Sequence, residues 1–104
     1  MENEGRRGRI YISGSITGVP DYMGRFEAAE AGLKAAGWDV VNPAKVLAPV
    51  TEILTYDELM AVCLVLMDMC GAVQLLPGWR ESRGAMMEFQ YALEKCMDIY
   101  AEED

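Results

Sequence analysis

Ser82-Arg83-Gly84-Ala85-Met86-Met87-Glu88 follows the apolar run Ala72-Val73-Gln74-Leu75-Leu76 and the turn Pro77-Gly78. A strand that ends in such a turn and leads into a helix gathers three kinds of group at one point. These are the unpaired N–H groups of the helix start, a serine hydroxyl and a carboxylate. Open α/β sheets bind phosphorylated ligands there, because the free N–H groups favour anions. Glu88 is the acid of this set. Its helical neighbours three and four positions away are Gly84, Ala85, Tyr91 and Ala92. None is basic, so no ion pair within the helix engages it. The small neighbours leave room over the carboxylate for another group. A solvated surface glutamate is the alternative these residues leave open.

The chain contains no histidine. Ser-His-Asp and Cys-His mechanisms are therefore excluded, as are histidine-based metal sites. Acid–base or nucleophilic work falls to carboxylates, tyrosines, lysines or cysteines. A second segment, Tyr11-Ile12-Ser13-Gly14-Ser15-Ile16-Thr17-Gly18, reads as a strand end running into a polar, glycine-bearing loop. The glycines either let backbone approach a ligand or simply make a tight turn. The Tyr11 hydroxyl either reaches the same crevice as Glu88 or packs in the core. Asp57, beside Tyr56 and Glu58, reads as solvated when taken alone. Trp79 either stacks on a base or lids apolar surface, and Met86 and Met87 read as packing.

The elements that position these residues follow from periodicity and breakers. Arg9–Ser13 is a β-rich run, and a helix begins near Asp21 with Phe26, Ala29, Leu33 and Ala36 at helical spacing. Gly37 suits a left-handed helix end. Trp38–Asn42 is a second strand, and Pro43–Thr51 reads as a loop. A long helix is expected from about Glu52 to Met69. Its second half, Leu59–Met67, is apolar on every side and so calls for burial all round, in the core or against a partner. Ala72–Leu76, Ser82–Cys96 and Met97–Tyr100 complete the order β-α-β-α-β-α-β. That alternation predicts a small, doubly wound parallel sheet of about four strands between helix layers, Rossmann-like or flavodoxin-like. Residues 1–8 read as a flexible lead, 9–101 as one domain and 102–104 as an acidic tail.

The formal net charge of −8 argues against binding to a nucleic-acid polymer. Arg6, Arg7 and Arg9 form the one basic cluster, read as a frayed, solvated terminus. A hydrophobic fraction of 52% is high for 104 residues and points to a homodimer or higher homo-oligomer. Cys63, Cys70 and Cys96 lack framework spacing and read as thiols in a reducing, cytoplasmic setting. No signal peptide and no membrane span are expected.

Together these residues resemble the nucleoside 2-deoxyribosyltransferase superfamily, including the 2′-deoxynucleoside 5′-phosphate N-hydrolases. Tyr11–Gly18 looks like that family's first strand and phosphate loop, and Ser82–Glu88 like its Ser-x-Gly-x-x-x-Glu segment. The likeness is greatest to a group of small phage and bacterial relatives of those enzymes. It runs from Ile10 to about Ala92 and includes Asn42-Pro43-Ala44 and Leu75-Leu76-Pro77-Gly78-Trp79. The resemblance implies cleavage or transfer of an N-glycosidic bond in a (deoxy)nucleoside 5′-monophosphate, without a cofactor or metal. Glu88 would be the nucleophile, and Tyr11 would hydrogen-bond it or the sugar. Ser15, Ser82 and the N–H of Gly84 would hold the 5′-phosphate, and Asp57 would help the base leave; Gly14, Ile16 and Trp79 are taken as further substrate-binding positions. Two departures stand out: Gly71 replaces an expected acid before the third strand, and little chain follows the fourth. A nucleotide-binding or nucleotide-sequestering protein without catalysis is the competing expectation, and a glycohydrolase for NAD-like nucleotides is a third.

Overall fold

Every strand among the described residues pairs in parallel, which is what crossover helices between strands require. The computed structural model describes residues 7–102. Its elements are β1 (Gly8–Ser13), α1 (Tyr22–Ala35), β2 (Trp38–Val41), α2 (Pro43–Leu47), α3 (Tyr56–Asp68), β3 (Ala72–Leu75), α4 (Arg83–Glu94) and β4 (Asp98–Ala101). Single 3-10 turns cover Ala48–Val50 and Trp79–Glu81. The sheet order is β2-β1-β3-β4, with Tyr11 level with Val41 on one side and Val73 on the other. The chain leaves β1 toward one edge and later returns to β3 on the other side. The switch point therefore lies between the carboxyl ends of β1 and β3. This is the expected doubly wound α/β sheet.

Strand alternation divides the core in two. Tyr11, Val73 and Leu75 point to the face covered by α3 and α4, where Cys63, Met67, Ala85 and Ala92 meet them. Ile12 points to the other face and packs with Phe26, Ala44 and Leu76. Among the described residues no helix is long and apolar enough to cross a membrane.

Several local expectations are corrected. Pro43–Thr51 is not a loop: Asn42 caps α2, accepting from the Lys45 N–H at 3.3 Å, and Pro43 takes the first helical position, where no N–H is needed. The long helix starts at Tyr56 and not at Glu52, because Thr55 and Glu58 form a reciprocal capping box. Within the single chain, α3 is buried along one face only. Cys63 and Met67 face inward, while Val65 is 54% exposed and Ala61 lies exposed one turn before it. Arg7 is not frayed. Its N–H donates to the Gly37 carbonyl at 2.9 Å and its Nε to the Ala36 carbonyl at 3.0 Å, tying the chain to the end of α1. Gly37 there has φ +102°, the left-handed geometry expected of it. The rest of the expected lead, residues 1–6, and residues 103–104 of the acidic tail lie outside the described residues.

A buried polar knot fastens α1 to α2. Asn42 Nδ2 donates to Glu30 Oε1 at 3.0 Å, and Lys34 Nζ lies 2.8 Å from Glu30 Oε2. The hydrogen bond from Lys34, followed by that from Asn42, holds the Glu30 carboxyl below its ordinary pKa. Asn42→Ala removes both the helix cap and a partner of this buried acid. It should cost about 1–3 kcal/mol, read as a lower urea midpoint at unchanged m-value. An unchanged midpoint would show that the knot contributes nothing.

Candidate active site

Glu88 reaches the sheet because its neighbours on that side of α4 are small. Ala85, Glu88 and Ala92 are the buried residues of the helix, three and four positions apart on one face. Beneath them run Tyr11 and Ser13, two residues apart on β1 and hence on the same side of the sheet. The Tyr11 hydroxyl donates to Glu88 Oε2 at 2.6 Å, and the Ser13 hydroxyl donates to Oε1 at 2.6 Å. Both carboxylate oxygens are thus held by separate donors, in short bonds typical of an ionised acceptor. A carboxylate has about four acceptor positions, so two bonds leave capacity for a ligand.

Burial dominates the electrostatics of this cluster. Glu88 is 5% exposed, and desolvation pushes its carboxyl above the ordinary value although Ser13, Tyr11 and Cys63 oppose the shift. Tyr11 is raised well above its usual range, first by burial and then by the Glu88 charge. Cys63, facing the same acid from α3, is pushed up to about 11 by burial and by Glu88. At neutral pH it is a protonated thiol, not a nucleophile.

Glu88 lines a cavity of about 480 Å³ at the carboxyl ends of β1 and β3, within the range of small-molecule sites. The polar side of this cavity is built from Gly14, Ser15, Ile16 and Thr17 after β1, and from Glu81, Ser82, Arg83 and Gly84 leading into α4. Ser82 caps that helix, its hydroxyl accepting from the Ala85 N–H at 3.1 Å. The two loops therefore share one cavity. A side chain at either glycine would be crowded. A Cβ on Gly14 would lie 3.1 Å from Leu76 Cβ, and one on Gly84 would lie 3.3 Å from the Tyr56 hydroxyl. The other walls come from α1, α2 and α3 and are largely apolar.

Seven of the residues singled out from the sequence thus line one cavity: Tyr11, Gly14, Ser15, Ile16, Ser82, Gly84 and Glu88. Two do not. Asp57 is exposed on the first turn of α3, while Tyr56, Met60 and Cys63 carry the face that lines the cavity. One residue is about 100° of helix rotation, which turns Asp57 away. Trp79 is buried in the core, its ring 4.8 Å from that of Phe89 and 4.6 Å from the Arg80 guanidinium. Apolar burial against α4 took that side chain out of ligand reach. Gly71, noted as a departure, sits at the opposite end of β3 from the cavity, where its carbonyl accepts from the Asp98 N–H.

Ser13, which holds Glu88, and Cys63 and Arg83, which line the cavity, were not picked out beforehand. Ser13 was signalled by its two-residue spacing from Tyr11. Cys63 carried no signal beyond its place in an apolar helix. Arg83 is the one cationic side chain lining the cavity among the described residues, and its guanidinium lies 5.5 Å from the Tyr56 ring centroid. Among the described residues, no group of three His, Cys, Asp or Glu side chains is placed to hold a metal ion.

Residues 8–101 match the family described as Domain of unknown function (DUF4406). The chain belongs to this family. The match covers all of β1 through β4, so the DUF4406 domain includes both loops of the cavity and Glu88. Comparison with curated proteins and with solved structures gave no match to this DUF4406 chain.

Proposed function

We propose that this DUF4406 protein cleaves or transfers the N-glycosidic bond of a (deoxy)nucleoside 5′-monophosphate, with Glu88 as nucleophile. One observation carries the reading. A buried carboxylate, held by two hydroxyls, lines a cavity whose polar side is a glycine loop and a helix start. Breaking the bond between C1′ and the base nitrogen leaves positive charge on the sugar ring. A fixed carboxylate beside C1′ stabilises that charge more than it stabilises the neutral substrate. The base leaves with the bonding electron pair and takes a proton from water, while Glu88 forms an ester to C1′. Water attacking C1′ then frees the sugar phosphate and restores Glu88. Attack by a second base instead gives transfer. Incubation with a panel of deoxynucleoside monophosphates, with free base measured by chromatography, tests this directly.

The phosphate would sit between the Ser15–Thr17 loop and the free N–H groups at the start of α4. Arg83 adds the cationic side chain. Arg83→Ala should lower kcat/KM for nucleoside monophosphates about tenfold and leave that for the corresponding nucleosides unchanged. Equal losses on both substrates would remove the phosphate from this position.

The two hydroxyl bonds on Glu88 and its raised pKa also fit a second reading, a nucleotide-binding protein that does no chemistry. Equal affinity in wild type and Glu88→Ala, with no base released, would favour it. The exposed Ala61 and Val65 on α3 fit a homodimer closed through that helix, which light scattering would read. Unpaired Cys63, Cys70 and Cys96 fit a reducing compartment such as the cytoplasm.

A further inference from the structure

We infer that the cavity selects its nucleotide's base by shape and stacking, without side-chain hydrogen bonding, and therefore accepts purine and pyrimidine monophosphates alike. The inference rests on the nucleotide reading above and adds the substrate range of the same site. With the phosphate on the polar side, the base falls among Tyr22 and Phe26 of α1, Pro43, Ala44 and Leu47 of α2, and Leu59 of α3. These are aromatic and aliphatic surfaces, which pack on any heterocycle because every base has an apolar face.

The groups that tell bases apart are amides and carboxylates able to pair with two atoms of a base edge. Among the described residues no Asn, Gln or Asp side chain lines the cavity. Asn42, next in sequence to Pro43, is already occupied: its Oδ1 accepts from Lys45 and its Nδ2 donates to Glu30. Glu88 is engaged by Tyr11 and Ser13, and Glu81 belongs to the turn that leads into α4, on the phosphate side. Apart from Tyr56, whose hydroxyl lies beside Gly84 on the phosphate side, two side-chain hydroxyls line the base side, those of Tyr22 and Thr51. The Thr51 hydroxyl donates to the Leu47 carbonyl at 2.8 Å, which closes the turn after α2.

The size of the effect decides the test. An apolar pocket separates ligands differing by one small group by about 10- to 200-fold, whereas a site built on hydrogen bonds rejects the wrong one by about 10⁴- to 10⁵-fold. Calorimetry on the Glu88→Gln protein, which cannot turn over, would give Kd for the 5′-monophosphates of deoxyadenosine, deoxyguanosine, deoxycytidine and thymidine. A spread within about 200-fold is expected. A larger spread, or no binding by any of the four, overturns the inference. Tyr22→Phe and Thr51→Val should leave the order of the four affinities unchanged. Loss of one base by more than about tenfold in either variant would show hydroxyl readout and overturn it too. Wild-type assays keep the two readings apart. Binding of all four without release of base would end the glycosidic proposal and leave this inference standing.

Discussion

Glu88→Gln stops base release, with a fall of about 10³-fold or more expected when a covalent nucleophile is removed, while the protein stays folded. Glutamine matches the size of glutamate, and the Tyr11 and Ser13 hydroxyls can bond to an amide as well as to a carboxylate. The variant also separates function from stability. Burial raises the Glu88 carboxyl in the folded state, so folded protein still holds a proton that the unfolded chain has released. Wild type therefore loses stability as pH rises from the ordinary carboxylate range through that raised value. Glutamine carries no such charge. The Tm of Glu88→Gln relative to wild type should thus climb with pH across this window and level off above it. Turnover retained by Glu88→Gln would remove Glu88 from the chemistry. A Tm difference independent of pH would show that the acid carries no burial cost.

Tyr11→Phe should move the acid limb of the pH–rate profile to higher pH and reduce the rate at neutral pH by up to about 10²-fold, the scale of a misplaced reacting group. The sign follows from the bond. Tyr11 donates to Glu88 and thereby favours its ionised form, opposing the desolvation that raises its pKa. Without the hydroxyl the carboxyl stays protonated to higher pH, and an acid must be ionised to act as a nucleophile. Ser13→Ala should shift the limb in the same direction, because its bond lies on the other oxygen at the same 2.6 Å. Lys45→Ala, out on α2 at the Glu30 knot, should leave the limb in place. A limb that stays put in both Tyr11→Phe and Ser13→Ala would mean that another group sets the profile.

Much of the architecture was already legible in local patterns. The alternation of short β-rich runs with helical spacing, Gly37 at a helix end and Pro77-Gly78 after an apolar run marked out the order of elements and with it a parallel sheet. Where those readings slipped, a local signal was present but outweighed. Thr55 and Glu58 spell a capping box that starts α3 four residues after Glu52, and Asn42-Pro43 spells the cap and first position of α2. Both signals are short, and the prolines nearby read more readily as breakers.

The pairing of Glu88 with Tyr11 and Ser13 spans 77 and 75 positions of chain. Composition, spacing and breakers along the chain were enough to establish the four strands, the three longer helices in outline and the two glycine-bearing loops, because those depend on neighbours within a few positions. Which side chains meet inside the cavity was decided by the sheet order β2-β1-β3-β4 and by the rotation of α3 and α4 against it. Cys63 and Arg83 enter the cavity, and Asp57 and Trp79 leave it, for that reason. A helix turns about 100° per residue, so a side chain's direction depends on the packing of whole faces, which no single residue type records.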